Sequence, residues 1–449
     1  MFVNVSNIDG IRSIWSTTGT GISTRLAEDL IPHVDSLAEI AGNHQFLDKD
    51  ITLKSLPEPT FVPEGTAHVQ IRERIASLMD RAPAPITPSD IAKTNPEDVY
   101  LFPSGMAALF WTHQSITQIR CQKSAGFGCI FLNTQDLLEE FGPGFALFGG
   151  GDEEALEELT RWLEAGNRIQ ALYVEFPSNP IVISAPLRGL RALADKYDFI
   201  LVVDETIGSF ANVDVRAVAD VIASSLSKLF SGYADVLAGS VYLNPLSKHY
   251  TALKSTFTSS FRNLFYIRDA DVLEFNSRDY LERAAITNRN AAAIMALCHQ
   301  FQTTNADSCV RKVLYPPNTA SHNHFRQFMR AETQELTPGY GVLLSIEFDN
   351  LESTKAFYDT IEVHSGPHLG AHYTIVLAYN HAMFGTSPAL LARASKFNWS
   401  SQQIRISVGY EDVNELVEVF EASLIAAENA KIRSGRSHPT IITKLQQQR

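Results

Sequence analysis

Asp204 and Lys228 stand where an α/β protein keeps its chemistry. Asp204 closes the apolar run FILVVDE (199–205), and Lys228 follows the next such run, VIASSL (221–226), within SSLSKLFSG. Short, continuous, β-branched runs read as buried parallel strands. In an open sheet of such strands, ligand-binding groups gather beyond the carboxyl ends, so both residues are expected to face one crevice. A primary amine and a carboxylate placed there suit pyridoxal phosphate. The amine holds the coenzyme as a Schiff base, and the carboxylate keeps its pyridine nitrogen protonated, so that the ring can accept electrons from a carbanion. The coenzyme's phosphate also needs a cradle, and LFPSGMAALFW (101–111) offers one: a Pro103-Ser104-Gly105 turn that opens a helix. Backbone N–H groups at a helix start bind phosphate, and glycine permits close approach. Ser225 and Ser227 add hydroxyl donors nearby. Singly, each feature has an ordinary reading as a helix cap, a turn or a solvated lysine; their order along the chain favours the joint one.

The elements that must position these groups are visible in the patterning. From about residue 99 to 243, short apolar runs alternate with amphipathic ones, the signature of an α/β fold. ALYVEFP (171–177), FILVVDE, VIASSL and VLAGSVYL (236–243) read as strands, and LRGLRALADKY (187–197) as a helix with Leu187, Leu190 and Leu193 on one face. A mostly parallel central sheet with helical crossovers follows. An Ala-rich helical stretch over about 270–302 is expected to link this domain to a second. There GYGVLLSIEFD (339–349) and QIRISVGYED (403–412) read as strands, and VNELVEVFEASLIAAENA (413–430) as a helix. The expected organisation is an N-terminal arm (1–65) with one helix near 22–40, a large domain with the linking helix (66–300), a smaller α+β domain (301–430) and a solvated basic tail (431–449).

Composition narrows the function. The 449 residues carry 37 Lys+Arg against 50 Asp+Glu, a net charge of −13, which repels nucleic acid and anionic membrane surfaces. A hydrophobic fraction of 45% with 19% charged residues is that of a soluble globular chain. Cys121, Cys129, Cys298 and Cys309 form no CxxC pair, which fits free thiols in a reducing compartment. With no secretory pattern at the N-terminus and no run of about eighteen apolar residues, a cytoplasmic location is expected. His322 and His324, two apart as on one strand face, have no carboxylate or cysteine beside them in sequence, so no metal is expected.

FPSGMAAL, EFPSNPIV, LADKYDFILVVDET, SSLSKLFSGYADVLAGS and IRISVGYED, in this order, resemble the Cys/Met-metabolism PLP enzymes, the cystathionine γ-synthase family, over roughly residues 98–430. The fungal cystathionine γ-synthases look most alike. The resemblance implies a PLP-dependent transferase of fold type I, aspartate aminotransferase-like, that binds pyridoxal 5'-phosphate and assembles as a homodimer or homotetramer. It implies that Lys228 is the catalytic and Schiff-base lysine and that Asp204 pairs the pyridinium. Gly105 and Met106 would offer amides to the phosphate, with Ser104, Ser225 and Ser227 around it. Asn179 would meet the coenzyme's phenolic oxygen or the substrate, and Thr206 would sit against the ring. Arg405 would grip the substrate carboxylate, a task that suits a planar fork.

Three departures bear on the substrate. The aromatic that stacks on the ring, usually tyrosine, is Phe131, which keeps the stacking face but has no hydroxyl to move a proton. The Tyr-x-Arg that reaches a neighbouring subunit's phosphate is not visible near Phe61-Val62-Pro63, leaving Arg72 and Arg74 as candidate substitutes. The Ser-Leu-Gly of the substrate region reads His368-Leu369-Gly370, which sets a larger, titratable ring at the reacting carbon. The implied reaction is γ-replacement on an O-acyl-L-homoserine, O-acetyl by resemblance to the fungal enzymes, through a vinylglycine-type electrophile. The departures point to a carbon nucleophile such as a β-keto acid. Cystathionine γ-synthase with cysteine, a γ-lyase and a sulfhydrylase are the alternatives. The expected partners are an amino-acid substrate and a second, nucleophilic co-substrate, with no nucleic acid and no membrane.

Overall fold

Alternation along three neighbouring strands builds the centre of the large domain. In β4 (Ala171–Glu175), β5 (Ile200–Asp204) and β6 (Val221–Ser224), Leu172, Val174, Leu201, Val203 and Ile222 enter one apolar cluster. Their sequence neighbours Ala171, Tyr173, Ile200, Val202, Val221 and Ala223 enter another on the opposite side. Successive strand residues point to opposite faces, so a strand that is apolar throughout demands cover on both. The computed structural model, which describes residues 8–36, 62–304 and 306–433, supplies that cover with helices. On one side Leu187–Tyr197 buries Leu187, Leu190 and Leu193, each contributing about 2 kcal/mol by leaving water. Gly105–Ile119 covers the other side.

The sheet is completed by β1 (Val99–Phe102), β2 (Ser124–Phe127), β3 (Phe145–Phe148) and β7 (Gly239–Leu243). Its order is β1-β7-β6-β5-β4-β2-β3. β2 to β6 pair in parallel, whereas β7 runs antiparallel to both β1 and β6. The expected α/β, mostly parallel sheet is therefore present. Parallel register sets Glu175 opposite Asp204 and Asp204 opposite Ala223, bringing the ends of β4, β5 and β6 to one rim.

The smaller domain holds β8 (Val310–Leu314), β9 (Leu343–Phe348), β10 (His364–Ser365), β11 (Ile375–Leu377) and β12 (Gln403–Ser407), in the order β10-β11-β12-β9-β8. The helix Tyr280–Thr304 links the two domains, with Tyr280 and Ala284 in the large core and Ala291, Ile294, Cys298 and Phe301 in the small one. The expected single helix from about 270 is instead two, Ile267–Asn276 and Tyr280–Thr304. A division at 300/301 does not follow the cores, because Phe325, Phe328, Leu336 and Val342 return to the large one.

Other local expectations shift. His322 and His324 lie on a helix, His322–Phe328, not a strand, so two positions apart means opposite sides. His322 Nε2 is 2.9 Å from the Tyr340 hydroxyl, and His324 Nε2 is 3.2 Å from Glu153. The last helix, Val413–Arg433, runs past 430 and buries Lys431 to 4% exposure, with its Nζ 2.7 Å from the Asp349 carboxylate. That lysine is part of the fold and not a solvated tail; the tail beyond 433 lies outside the described residues. The arm contains the helices Ile8–Thr18 and Thr24–Leu30 and a 3-10 turn Ile31–Ser36, and its expected continuation to 40 is again outside them. Among the described residues no helix is long and apolar enough to cross a membrane.

Candidate active site

Lys228 lies in the tight loop after β6, where the Lys228 N–H bonds to the Ser225 carbonyl and the Gly232 N–H to the Lys228 carbonyl. Arg283, buried on the linking helix, holds this loop by donating to the carbonyls of Leu229 (2.7 Å) and Phe230 (3.0 Å). The other wall comes from the small domain. Gly370 has φ +74°, and a Cβ there would stand 2.5 Å from the Leu229 nitrogen, so only glycine lets the His368-Leu369-Gly370 loop lie against the lysine's own backbone. This brings His368 Nδ1 to 3.5 Å from Lys228 Nζ. Burial, with Arg405 adding to it against the pull of Asp204, pushes the Lys228 ammonium down to about 8. Burial, then Lys228 and Arg405, push His368 down to about 3. His368 is therefore neutral. An ammonium can only donate, so Nδ1 accepts from Lys228 and the ring proton sits on Nε2, which is buried without a partner among the described residues.

Asp204, at the end of β5, accepts a 2.9 Å bond from the Thr206 N–H on Oδ1. Burial raises its proton affinity, opposed by Thr206 and Lys228. Thr206 ties the rim together, its hydroxyl oxygen accepting from the Ser225 N–H at 2.7 Å. Gly105 is pressed to the same place, since a Cβ there would meet the Ser225 Cβ at 2.7 Å. Ser104 caps the Gly105–Ile119 helix by accepting from the Ala107 N–H (3.0 Å), and it donates its proton to the Gly19 carbonyl of the N-terminal segment (3.1 Å). The Ser227 hydroxyl is turned inward, donating to the Ala238 carbonyl (3.1 Å) and accepting from the Ala238 N–H (2.9 Å). Of the hydroxyls expected around a phosphate, Ser104 and Ser227 thus have their protons committed elsewhere.

Arg405 projects from β12, buried, with Nη2 donating to the carbonyls of Pro367 (2.7 Å) and His368 (2.9 Å) and Nη1 to Asn179 Oδ1 (3.3 Å). Its guanidinium lies 4.7 Å from the Tyr379 ring centre. Burial pushes it down to about 10, still charged near neutrality. Arg72 and Arg74, the candidate substitutes for a contact to a neighbouring subunit's phosphate, are ion-paired within the chain with Glu64 (2.8 Å) and Glu274 (2.6 Å). Of the segment searched for a Tyr-x-Arg, Phe61 lies outside the described residues.

Sequence reasoning passed over Glu175 and Arg283. Glu175, last in β4 and 8% exposed, accepts from the Phe131 N–H at 2.6 Å on Oε1 and from the Asn179 N–H at 2.9 Å on Oε2. Burial and the facing Asp204 raise its proton affinity, and the two N–H groups lower it. The available signal was an acid ending a strand that is otherwise apolar, directly before FPSN.

Residues 89–425 match the model of the Cys/Met metabolism PLP-dependent enzymes. The chain belongs to that family. Two similar relatives are the cystathionine gamma-synthase-like enzyme iboG2 of Amanita muscaria, 33% identical over 93% of this chain and 74% of the relative, and the alanine racemase ungC of Aspergillus violaceofuscus, 35% identical over 95% of this chain and 73% of the relative. The fold is shared with the crystal structure of cystathionine gamma synthase from Xanthomonas oryzae in complex with cystathionine, at TM-score 0.62 and 19% identity, covering 82% of this chain and all of that one. As a Cys/Met metabolism enzyme, the chain is a PLP-dependent, cystathionine γ-synthase-like protein whose coenzyme is pyridoxal 5'-phosphate. Its residues fit that coenzyme. The Gly105 and Met106 N–H groups have no acceptor among the described residues, as a helix start that receives a phosphate requires. Lys228 is a buried amine of lowered proton affinity beside Asp204.

Proposed function

We propose that this enzyme catalyses γ-replacement on an O-acyl-L-homoserine, the O-acetyl ester on the likeness to fungal enzymes, with a carbon nucleophile such as a β-keto acid as co-substrate. The observation that carries the reading is the approach of His368 to Lys228 opposite Arg405. When bound, pyridoxal phosphate supplies a protonated ring that takes up the electron pair set free at the substrate's α-carbon. Lys228, with a proton affinity close to neutral pH, is suited to removing and returning protons there. Asp204 would keep the ring nitrogen protonated, and Phe131 and Thr206 would flank the ring. Gly105, Met106 and Ser225 would hold the phosphate, while Ser104 and Ser227 shape its cradle through their internal bonds. Arg405, aimed by Asn179, would fix the substrate carboxylate. Phe131 and His368 set an apolar face and a neutral ring beside the reacting carbon, which favours an enolised carbon acid over a strongly hydrated nucleophile. Ile14, Trp15, Ile22 and Ile31 are exposed on the N-terminal segment, which supports assembly as a homodimer or homotetramer. Buried free thiols at Cys129, Cys298 and Cys309 support a cytoplasmic setting.

Purified enzyme incubated with O-acetyl-L-homoserine and, separately, acetoacetate, cysteine or sulfide tests this by mass spectrometry of the products. A carbon–carbon adduct is expected; cystathionine as the dominant product overturns the choice of nucleophile and leaves a cystathionine γ-synthase, and release of a keto acid without any nucleophile indicates a γ-lyase. The likeness to an alanine racemase over nearly the whole chain favours a second reading, in which only the α-proton moves. Conversion of L-alanine to D-alanine, with no product from O-acetyl-L-homoserine, would establish it.

A further inference from the structure

Glu175 joins three parts of the site that the sequence keeps far apart. Its two oxygens accept from main-chain N–H groups of two different loops: Phe131, which opens the helix Leu132–Glu140, and Asn179, which follows β4. Asn179 in turn accepts from Arg405 on β12 of the small domain. A continuous line therefore runs from the residue assigned to the face of the coenzyme ring, through one carboxylate, to the arginine assigned to the substrate. We infer that Glu175 is a positioning residue that sets the spacing between the ring's stacking face and the substrate-carboxylate arginine. This rests on the roles proposed above for Phe131 and Arg405.

The residue type is what the geometry demands. Two main-chain N–H groups, one on each oxygen, need an acceptor at both positions, which a carboxyl group offers, whereas a glutamine of the same shape offers one oxygen and a pair of donors, so one of the two N–H groups would face an NH2. Aspartate keeps both acceptors but is a methylene shorter and cannot span both loops from the same backbone position. Because neither bond is to the coenzyme or the substrate, Glu175 acts only through Phe131 and Asn179.

The test compares Glu175→Gln and Glu175→Asp with the wild-type holoenzyme. The visible circular dichroism of the bound coenzyme reports the ring's seating, and the dissociation constant of glycine, read from the coenzyme's absorbance, reports the carboxylate site. For Glu175→Gln the dichroic band is expected to change, and glycine binding to weaken about tenfold, as loss of one buried hydrogen bond implies. Glu175→Asp is expected to shift the band while retaining coenzyme, which keeps the test decisive if the glutamine variant does not fold. An unchanged band and unchanged glycine affinity in a folded variant, with only the melting temperature lowered, would overturn the inference and leave Glu175 a purely structural acceptor. Failure of the wild-type protein to develop any coenzyme band would instead strike at the proposed site itself.

Discussion

Lys228 Nζ and His368 Nδ1 stand 3.5 Å apart although one belongs to the large domain's sheet rim and the other to a loop of the small domain. The imidazole helps to bury the amine, and burial with nearby Arg405 brings the lysine down to about 8. Only the neutral amine condenses with an aldehyde. The rate of coenzyme uptake by the apoprotein should therefore rise about tenfold per pH unit below 8 and level off above it, far below the value of about 10.4 for a free lysine. Stopped-flow absorbance across pH 6 to 10 checks this; a rate still climbing steeply at pH 9.5 contradicts it. The sign for stability follows. Between pH 8 and the unfolded value, the folded apoprotein binds fewer protons than the unfolded chain, so its stability rises with pH through that window.

Arg405→Lys should weaken substrate binding far more than it slows turnover. An ammonium cannot hold Asn179, Pro367 and His368 at once as the guanidinium does, nor present a fork to a carboxylate. A KM increase of about 30- to 100-fold, roughly 2–3 kcal/mol, with kcat within a few-fold of wild type, is the expected split in steady-state kinetics. A large fall in kcat at unchanged KM would contradict it.

Gly19→Val should undock the N-terminal segment. Gly19 has φ +62°, and a Cβ would collide with Ser104 Oγ and the Ala107 nitrogen, so the substitution is opposed by both backbone strain and lack of room. With the Ser104 bond to the Gly19 carbonyl lost, the first turn of the Gly105 helix gains access to solvent. Trypsin cleavage after Arg25 should become faster, together with coenzyme release on dilution. Ser104→Ala should act in the same direction and additionally cost about 1 kcal/mol as a lost helix cap.

Arg216→Ala should destabilise the large domain without touching the site. Arg216, 1% exposed, binds the buried Asp214 at 2.9 Å and Asp80 at 2.8 Å. Removing it strips the buried Asp214 of its direct ion pair and leaves it Arg330 nearby and the Thr87 hydroxyl, a change that costs about 3 kcal/mol. Urea denaturation followed by circular dichroism should show a clear fall in midpoint, and an unchanged midpoint would contradict the prediction.

Much of this protein was legible in its sequence. The runs ending at Asp204 and Ser224 and the Leu187–Tyr197 helix lie where burial periodicity places them, because a buried strand and an amphipathic helix announce themselves within a few residues. The SGM turn likewise declares a capped helix start from local chemistry alone. What the sequence by itself determined, then, was the α/β frame and the set of groups gathered at its rim. Only the tertiary structure decided how those groups are used. Ser104 has one proton and gives it to Gly19, Ser227 gives its own to Ala238, Glu175 receives two loops, and Lys431 is drawn into the small domain. Hydrogen-bonding capacity is a property of a residue type and can be read along the chain. The partner that claims it is chosen by packing between segments distant in sequence, and no local pattern carries that choice.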